Sequence, residues 1–151
     1  MADVPGSSRA PGGRDGRRTA SLIFRVAGIY GVVVLLPQYL LELGIGPPLP
    51  GPLTRPEHFY GFIGVALAFQ FVFLVIATDP VRYRLLMLCG VLEKLSFGVP
   101  VILLYAAGRV GGDVLAFGLI DLLLGAVFLN AYRDMRDFAE GAGAARRVEA
   151  A

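Results

Sequence analysis

The sequence predicts an all-α integral membrane protein: an up-down-up-down bundle of four transmembrane helices with both termini on the cytoplasmic side. Three observations predict it. Apolar residues make up 56% of the chain and charged residues 17%, where an ordinary soluble domain is roughly 25% charged. The apolar residues gather into four blocks, 22–41, 58–77, 85–107 and 114–132, each close to the ~20 residues that carry a helix across a ~30 Å hydrocarbon core. The arginines are segregated. Arg9, Arg14, Arg17 and Arg18 precede the first block, Arg82 and Arg84 separate the second from the third, and Arg133, Arg136, Arg146 and Arg147 follow the fourth. Only Arg55 and Arg109 fall in the other two connections. Positive residues stay on the cytoplasmic side, which places the chain in a cell membrane as a multi-pass protein with its ends inside.

Within lipid every backbone amide needs a partner in its own segment, so the four blocks are helices rather than strands. Residues 1–20, rich in Gly, Pro, Ser and Arg, have little to bury and read as a disordered basic leader. Arg17-Arg18 before an apolar run has the look of a twin-arginine signal, but the run is too long and ends in no small-x-small cleavage site, so the first helix is retained. That span carries Arg25, Pro37 and Gln38, and Arg25 is expected to snorkel to the inner surface. Residues 44–55 contain Pro47, Pro48, Pro50 and Pro52 and read as a stiff polyproline spacer.

Thr54-Arg55-Pro56-Glu57 has the spacing of a capping box and opens the second helix. Asp79-Pro80 sets a cap residue before a proline and opens the third, and Asp113 after Gly111-Gly112 caps the fourth. Short connections at 78–81 and 108–113 make successive helices antiparallel neighbours. The transmembrane domain is thus 21–140, with the last helix ending at Gly141 and 141–151 forming a flexible tail.

The informative residues are the charged ones inside the spans. Glu93 and Lys94 lie near the middle of the third and Asp121 near the middle of the fourth, all within roughly 5 Å of the midplane at ~1.5 Å per residue. An ionised side chain there costs at least ~2.5–3.5 kcal/mol, so the three need one another or a polar cavity. Gly118 and Gly125 share a helix face with Asp121, and small residues admit a close neighbour, which turns Asp121 into the bundle. Glu93 and Lys94 are ~100° apart on their helix. One is expected to meet Asp121 while the other turns toward the first or second helix, where Gln70 is a polar neighbour at similar depth. Pro100 cannot donate to the carbonyl of Ser96, and Ser96 shares the face of Glu93. Glu93, Lys94, Asp121, Gln70 and Ser96 are therefore the candidate ligand-binding residues, with Glu93, Asp121 and Lys94 the candidates for any acid–base chemistry.

Other functions find less support. A net charge of +2 gives no electrostatic case for nucleic acid. Cys89 reads as a buried packing thiol. His58 sits at the outer end of the second helix, roughly 20 Å from Cys89 across the bilayer, so the two share no dyad or metal site, and neither a metal nor a cofactor is called for.

Helix layout, internal acids and arginine-flanked ends resemble DoxX-like bacterial inner-membrane proteins and, more distantly, the emopamil-binding group. The likeness covers residues 22–132. His58-Phe59-Tyr60-Gly61-Phe62 and Val91-Leu92-Glu93-Lys94-Leu95-Ser96-Phe97-Gly98 look like stretches of such proteins. It implies a central cavity lined by buried acids, here Glu93 and Asp121, while the absence of a CxxC pair tells against thiol–quinone chemistry. The expected function is binding of a hydrophobic small molecule (lipid, isoprenoid or quinone) at the charged cluster. The alternatives are a membrane-embedded enzyme using those acids and a structural or assembly subunit. With no complete catalytic motif, binding is favoured over catalysis; a channel or pump would require a homo-oligomer, and a membrane-complex partner goes with the structural reading.

Overall fold

The computed structural model describes residues 12–42 and 56–149. They form four helices, α1 (Gly12–Glu42), α2 (Pro56–Thr78), α3 (Arg84–Ala106) and α4 (Gly112–Glu149), with no strand among the described residues. All four are long and apolar enough to cross a membrane, as in a multi-pass membrane protein. Helices α2 and α3, at 23 residues each, span about 35 Å, slightly more than the hydrocarbon core. Their surroundings are apolar too. Val33, Val65, Leu103 and Leu123, one from each helix, are 62–66% exposed, a surface that water would penalise and lipid would not.

The helices pack as a four-helix bundle in which α1 lies chiefly on α2 and α3 chiefly on α4, the two pairs meeting along α1–α4 and α2–α3. Contacts run in opposite order along neighbours. Ser21 donates to the carbonyl of Ala77 (2.6 Å), while Tyr39, further along α1, reaches back to the carbonyl of Tyr60 (3.3 Å). Between α3 and α4, Gly90 abuts Phe128 whereas Gly98 abuts Gly118 and Leu122. The buried core sits at the end of the bundle that holds the start of α1. Phe24 stacks on Phe128 at 4.3 Å between centroids, Phe73 meets Phe128 edge-on at 4.9 Å, and Met87, Ile76 and Met135 close the cluster.

Several helix boundaries differ from the sequence expectation. Residues 12–20 are not a disordered leader but the first turns of α1, because they have packing partners: Ala20 is buried and Arg17 pairs with Asp79 at 3.6 Å. Residues 141–149 are helical rather than a loose tail. Gly141 and Gly143 cost only ~1 kcal/mol each in a helix, and the alanine- and arginine-rich run after Gly143 favours helix. Asp79 caps a turn, its Oδ1 accepting from the Arg82 amide at 3.3 Å, but α3 itself starts at Arg84. Asp113 lies inside the first turn of α4, and it is the Gly111 carbonyl that accepts from the Leu115 amide.

Gly108 ends α3 in the left-handed region (φ 67°), where glycine has no Cβ penalty. Its amide donates to Tyr105, and that of Arg109 to Leu104, the Schellman pattern that satisfies the last carbonyls. Pro56 is the first residue of α2, a position where its missing amide hydrogen costs nothing. Thr54 and the proline-rich stretch 44–55 lie outside the described residues, as do residues 1–11.

Candidate functional site

One turn beyond the aromatic core, the charged residues of α3 and α4 come together. Met87, Gly90, Lys94, Gly98 and Val101 form the buried face of α3 at the three- and four-residue spacing of one helical stripe, which carries Lys94 inward. On α4, Gly118 and Gly125 flank Asp121. A Cβ at Gly125 would lie 3.3 Å from that of Lys94, so the small residue lets the two helices approach where their charges meet.

Lys94 Nζ donates to Asp121 Oδ1 at 3.1 Å and to Glu93 Oε1 at 3.4 Å, with Glu93 Oε2 at 3.2 Å. It also lies 5.5 Å from the centre of the Phe73 ring, within cation–π range. The expectation that Glu93 and Lys94 would serve different partners is corrected in one respect. Of the two it is Lys94 that meets Asp121, and its flexible four-carbon stem lets the ammonium reach back to the neighbouring Glu93, defeating the ~100° separation of their Cβ atoms. The lysine side chain is 7% exposed, against 13% for Glu93 and 18% for Asp121.

Above this triad the bundle opens into a cavity of about 450 Å³, within the range of small-molecule sites. All five sequence candidates line it: Glu93, Lys94, Asp121, Gln70 and Ser96. They do not all join the charges. Gln70 is 2% exposed, but its amide donates to the carbonyl of Ala66 at 2.8 Å and its side chain lies over Gly31, where any Cβ would collide with it. Ser96 Oγ donates to the carbonyl of Glu93 at 2.8 Å and so braces the backbone rather than the carboxylate. Gln38 apart, the remaining wall is apolar and aromatic, including Tyr30, Phe62, Phe97 and Phe117.

Those aromatic residues were not singled out in the sequence, although a signal for them exists. Phe97 is four residues after Glu93, Phe117 four before Asp121, and Phe62 eight before Gln70. Residues at such spacings share a helix face, so the cavity wall follows from the polar residues once each stripe is extended by a turn or two. Gln38 also lines the cavity; its amide donates to the Val34 carbonyl at 3.1 Å, beside the one that Pro37 leaves without its usual donor.

The donor and acceptor inventory is lopsided. The lysine donors are directed at two carboxylates and a ring, while Glu93 Oε2 is buried and accepts no hydrogen bond among the described residues. It lies at ion-pair distance from Lys94, 3.2 Å, without a hydrogen bond from it. A carboxylate is an acceptor only, so the polar wall offers acceptors to whatever occupies the cavity.

The other candidates lie elsewhere. His58 is exposed at the start of α2 and lies outside the cavity lining. Cys89 is exposed, not buried. It precedes Gly90 by one residue and is therefore rotated ~100° off the inward stripe, and a small thiol is at ease against lipid. No group of three or more His, Cys, Asp or Glu arranged for a metal occurs among the described residues. Comparison of the chain with protein-family profiles, with curated proteins and with solved structures found no match in any of the three.

Proposed function

We propose that this is a small multi-pass protein of the cell membrane that binds a hydrophobic small molecule, with the apolar body in the cavity and the polar end at Glu93, Lys94 and Asp121. The observation that carries this reading is the coincidence of a largely apolar cavity of about 450 Å³ with a charged triad at its base whose lysine is buried and whose acids are part-buried. Charge inside a membrane is costly and marks functional positions. Two carboxylates facing one ammonium leave a surplus of acceptors, so the favoured ligand carries a hydrogen-bond donor. A hydroxyl-bearing lipid or isoprenoid fits better than a quinone, whose carbonyls only accept.

The up-down-up-down topology with both termini cytoplasmic belongs to the same proposal. The reversed order of contacts between neighbouring helices and the arginine segregation support it. The DoxX-like layout and a place in a bacterial inner membrane are likewise proposals, supported by the helix pattern and the internal acids.

A second reading is favoured by one observation. Because Lys94 bridges Asp121 on α4 and Glu93 on α3, the triad could act as a clamp that fixes α3 against α4, as in a structural subunit. Membrane-embedded acid–base catalysis would use the same acids, and only product formation distinguishes it from binding. Mass spectrometry of small molecules co-purifying with the wild type and with Asp121→Asn separates binding from the clamp. A hydrophobic, hydroxyl-bearing compound enriched in the wild type and lost from a still-folded variant is the expected result. No enrichment together with collapse of the variant would assign the triad to structure.

A further inference from the structure

The arginines at the start of α1 form a second site. A crevice of about 520 Å³ lies between the first turns of α1 and the turn joining α2 to α3, lined by Arg17, Arg18, Ser21, Leu22 and Arg25 on one side and by Thr78 and Pro80 on the other. We propose that this crevice binds the phosphate of an anionic membrane phospholipid, with an acyl chain lying along the apolar side of α1.

The charge balance supports an anion. Arg17 is held by Asp79 at 3.6 Å, which anchors it to the opposite wall. Arg18 and Arg25 are exposed and have no carboxylate partner among the described residues. Other polar groups of the crevice are already engaged: Ser21 Oγ donates to the Ala77 carbonyl at 2.6 Å and Thr78 Oγ1 to the Val75 carbonyl at 2.7 Å. Pro80 has no amide hydrogen to offer. The free donors are therefore guanidinium groups, whose planar forks match a phosphate in bidentate fashion.

Depth decides between a lipid and a soluble anion. Arg25 stands two turns beyond Arg18, about 10 Å along the axis, inside the apolar block that begins at Leu22. Helical side chains lean toward the N-terminus of their helix, so Arg25 inclines back toward Arg18 and the two can grip one headgroup. Beside them Leu22, Val26 and Ile29 are 61%, 57% and 53% exposed and, at spacings of four and three, form one continuous strip leading from the crevice toward the bilayer interior. A free phosphate would have no use for that strip, whereas an acyl chain covers it.

The test is native mass spectrometry of the full chain released from mixed micelles holding phosphatidylglycerol and phosphatidylcholine with identical acyl chains. The wild type should retain phosphatidylglycerol preferentially. Arg18→Gln/Arg25→Gln should lose that preference, by about fivefold in affinity for each arginine removed. Arg146→Gln/Arg147→Gln, remote from the crevice along α4, should leave it unchanged. Equal retention of the two lipids by the wild type overturns the proposal without any variant, so misfolding of the double variant cannot shield it. Preference unchanged in a folded Arg18→Gln/Arg25→Gln protein overturns it as well. Displacement of the lipid by millimolar inorganic phosphate would assign the crevice to a soluble anion instead.

Discussion

In the half of the bundle that holds Phe24, Phe73 and Phe128, rings from three helices stack within 4.3–6.0 Å of one another and are wholly buried. In the other half rings also pair, but around open space. Phe62 and Phe97 touch at 5.7 Å, but Phe117 is 49% exposed, and together with Tyr30 they line a cavity rather than fill it. The same residue type thus makes a core at one end and a wall at the other. The difference lies in what neighbours it. Gly90 lets α3 close on Phe73 and Phe128, and beyond Lys94 the α1–α2 and α3–α4 pairs flank a void. The charged triad sits at the boundary between the two regimes, resting on the Phe73 ring and opening on the cavity.

Substitutions should affect the two halves differently, with the largest effect in the packed half. Phe128→Ala should lose about 3–5 kcal/mol of stability, as for other buried phenylalanines. Phe117→Ala, already half-exposed, should change stability by no more than about 1 kcal/mol. Unfolding in mixed micelles followed by circular dichroism measures both, and equal losses would erase the distinction between core and wall. At the boundary, Lys94→Met leaves two acids without their cation and should cost about 3 kcal/mol. A neutral outcome in the same unfolding assay would show that Glu93 and Asp121 do not depend on the lysine.

Gly31→Leu sharpens the contrast from the cavity side. Its side chain would collide with Gln70, at a cost of about 1–3 kcal/mol for overpacking, and would reduce the cavity, so ligand capture should fall even where the fold survives. Undiminished capture would move the site away from α1. The smallest effect belongs to the far end of the packed half. Asp79→Asn removes a half-exposed pair with Arg17 and should shift stability by less than about 1 kcal/mol; a larger loss would mean that this pair anchors the start of α1.

The spans and the charged residues were legible in the sequence because the bilayer imposes on both. Thickness sets block length, and the cost of charge in hydrocarbon makes Glu93, Lys94 and Asp121 conspicuous. Their meeting was legible too, since Gly118 and Gly125 mark the face of Asp121. What was not legible depends on reach or on long-range packing. A flexible lysine stem lets Lys94 bridge both acids, and no helical-wheel angle contains that freedom. Phe24, Phe73 and Phe128 belong to three helices and carry no local sign that they converge, so the asymmetry between packed and open halves had no sequence signature. The start of α1 was misread for the same reason: residues 12–20 are poor in apolar side chains, and their order comes from contacts with distant residues such as Asp79 and Met135.

On the proposed function, the open half takes up an amphiphile with its polar end at the triad. The chain has no tryptophan, so Phe117→Trp provides a single reporter in the cavity wall, to be titrated with a brominated long-chain alcohol in mild detergent. Saturable quenching that Asp121→Asn weakens is expected, with only gradual, unsaturated quenching of a lipid-facing control, Leu103→Trp. Identical, non-saturating curves for the two tryptophans would contradict the proposed function, leaving the cavity as ordinary lipid-accessible surface.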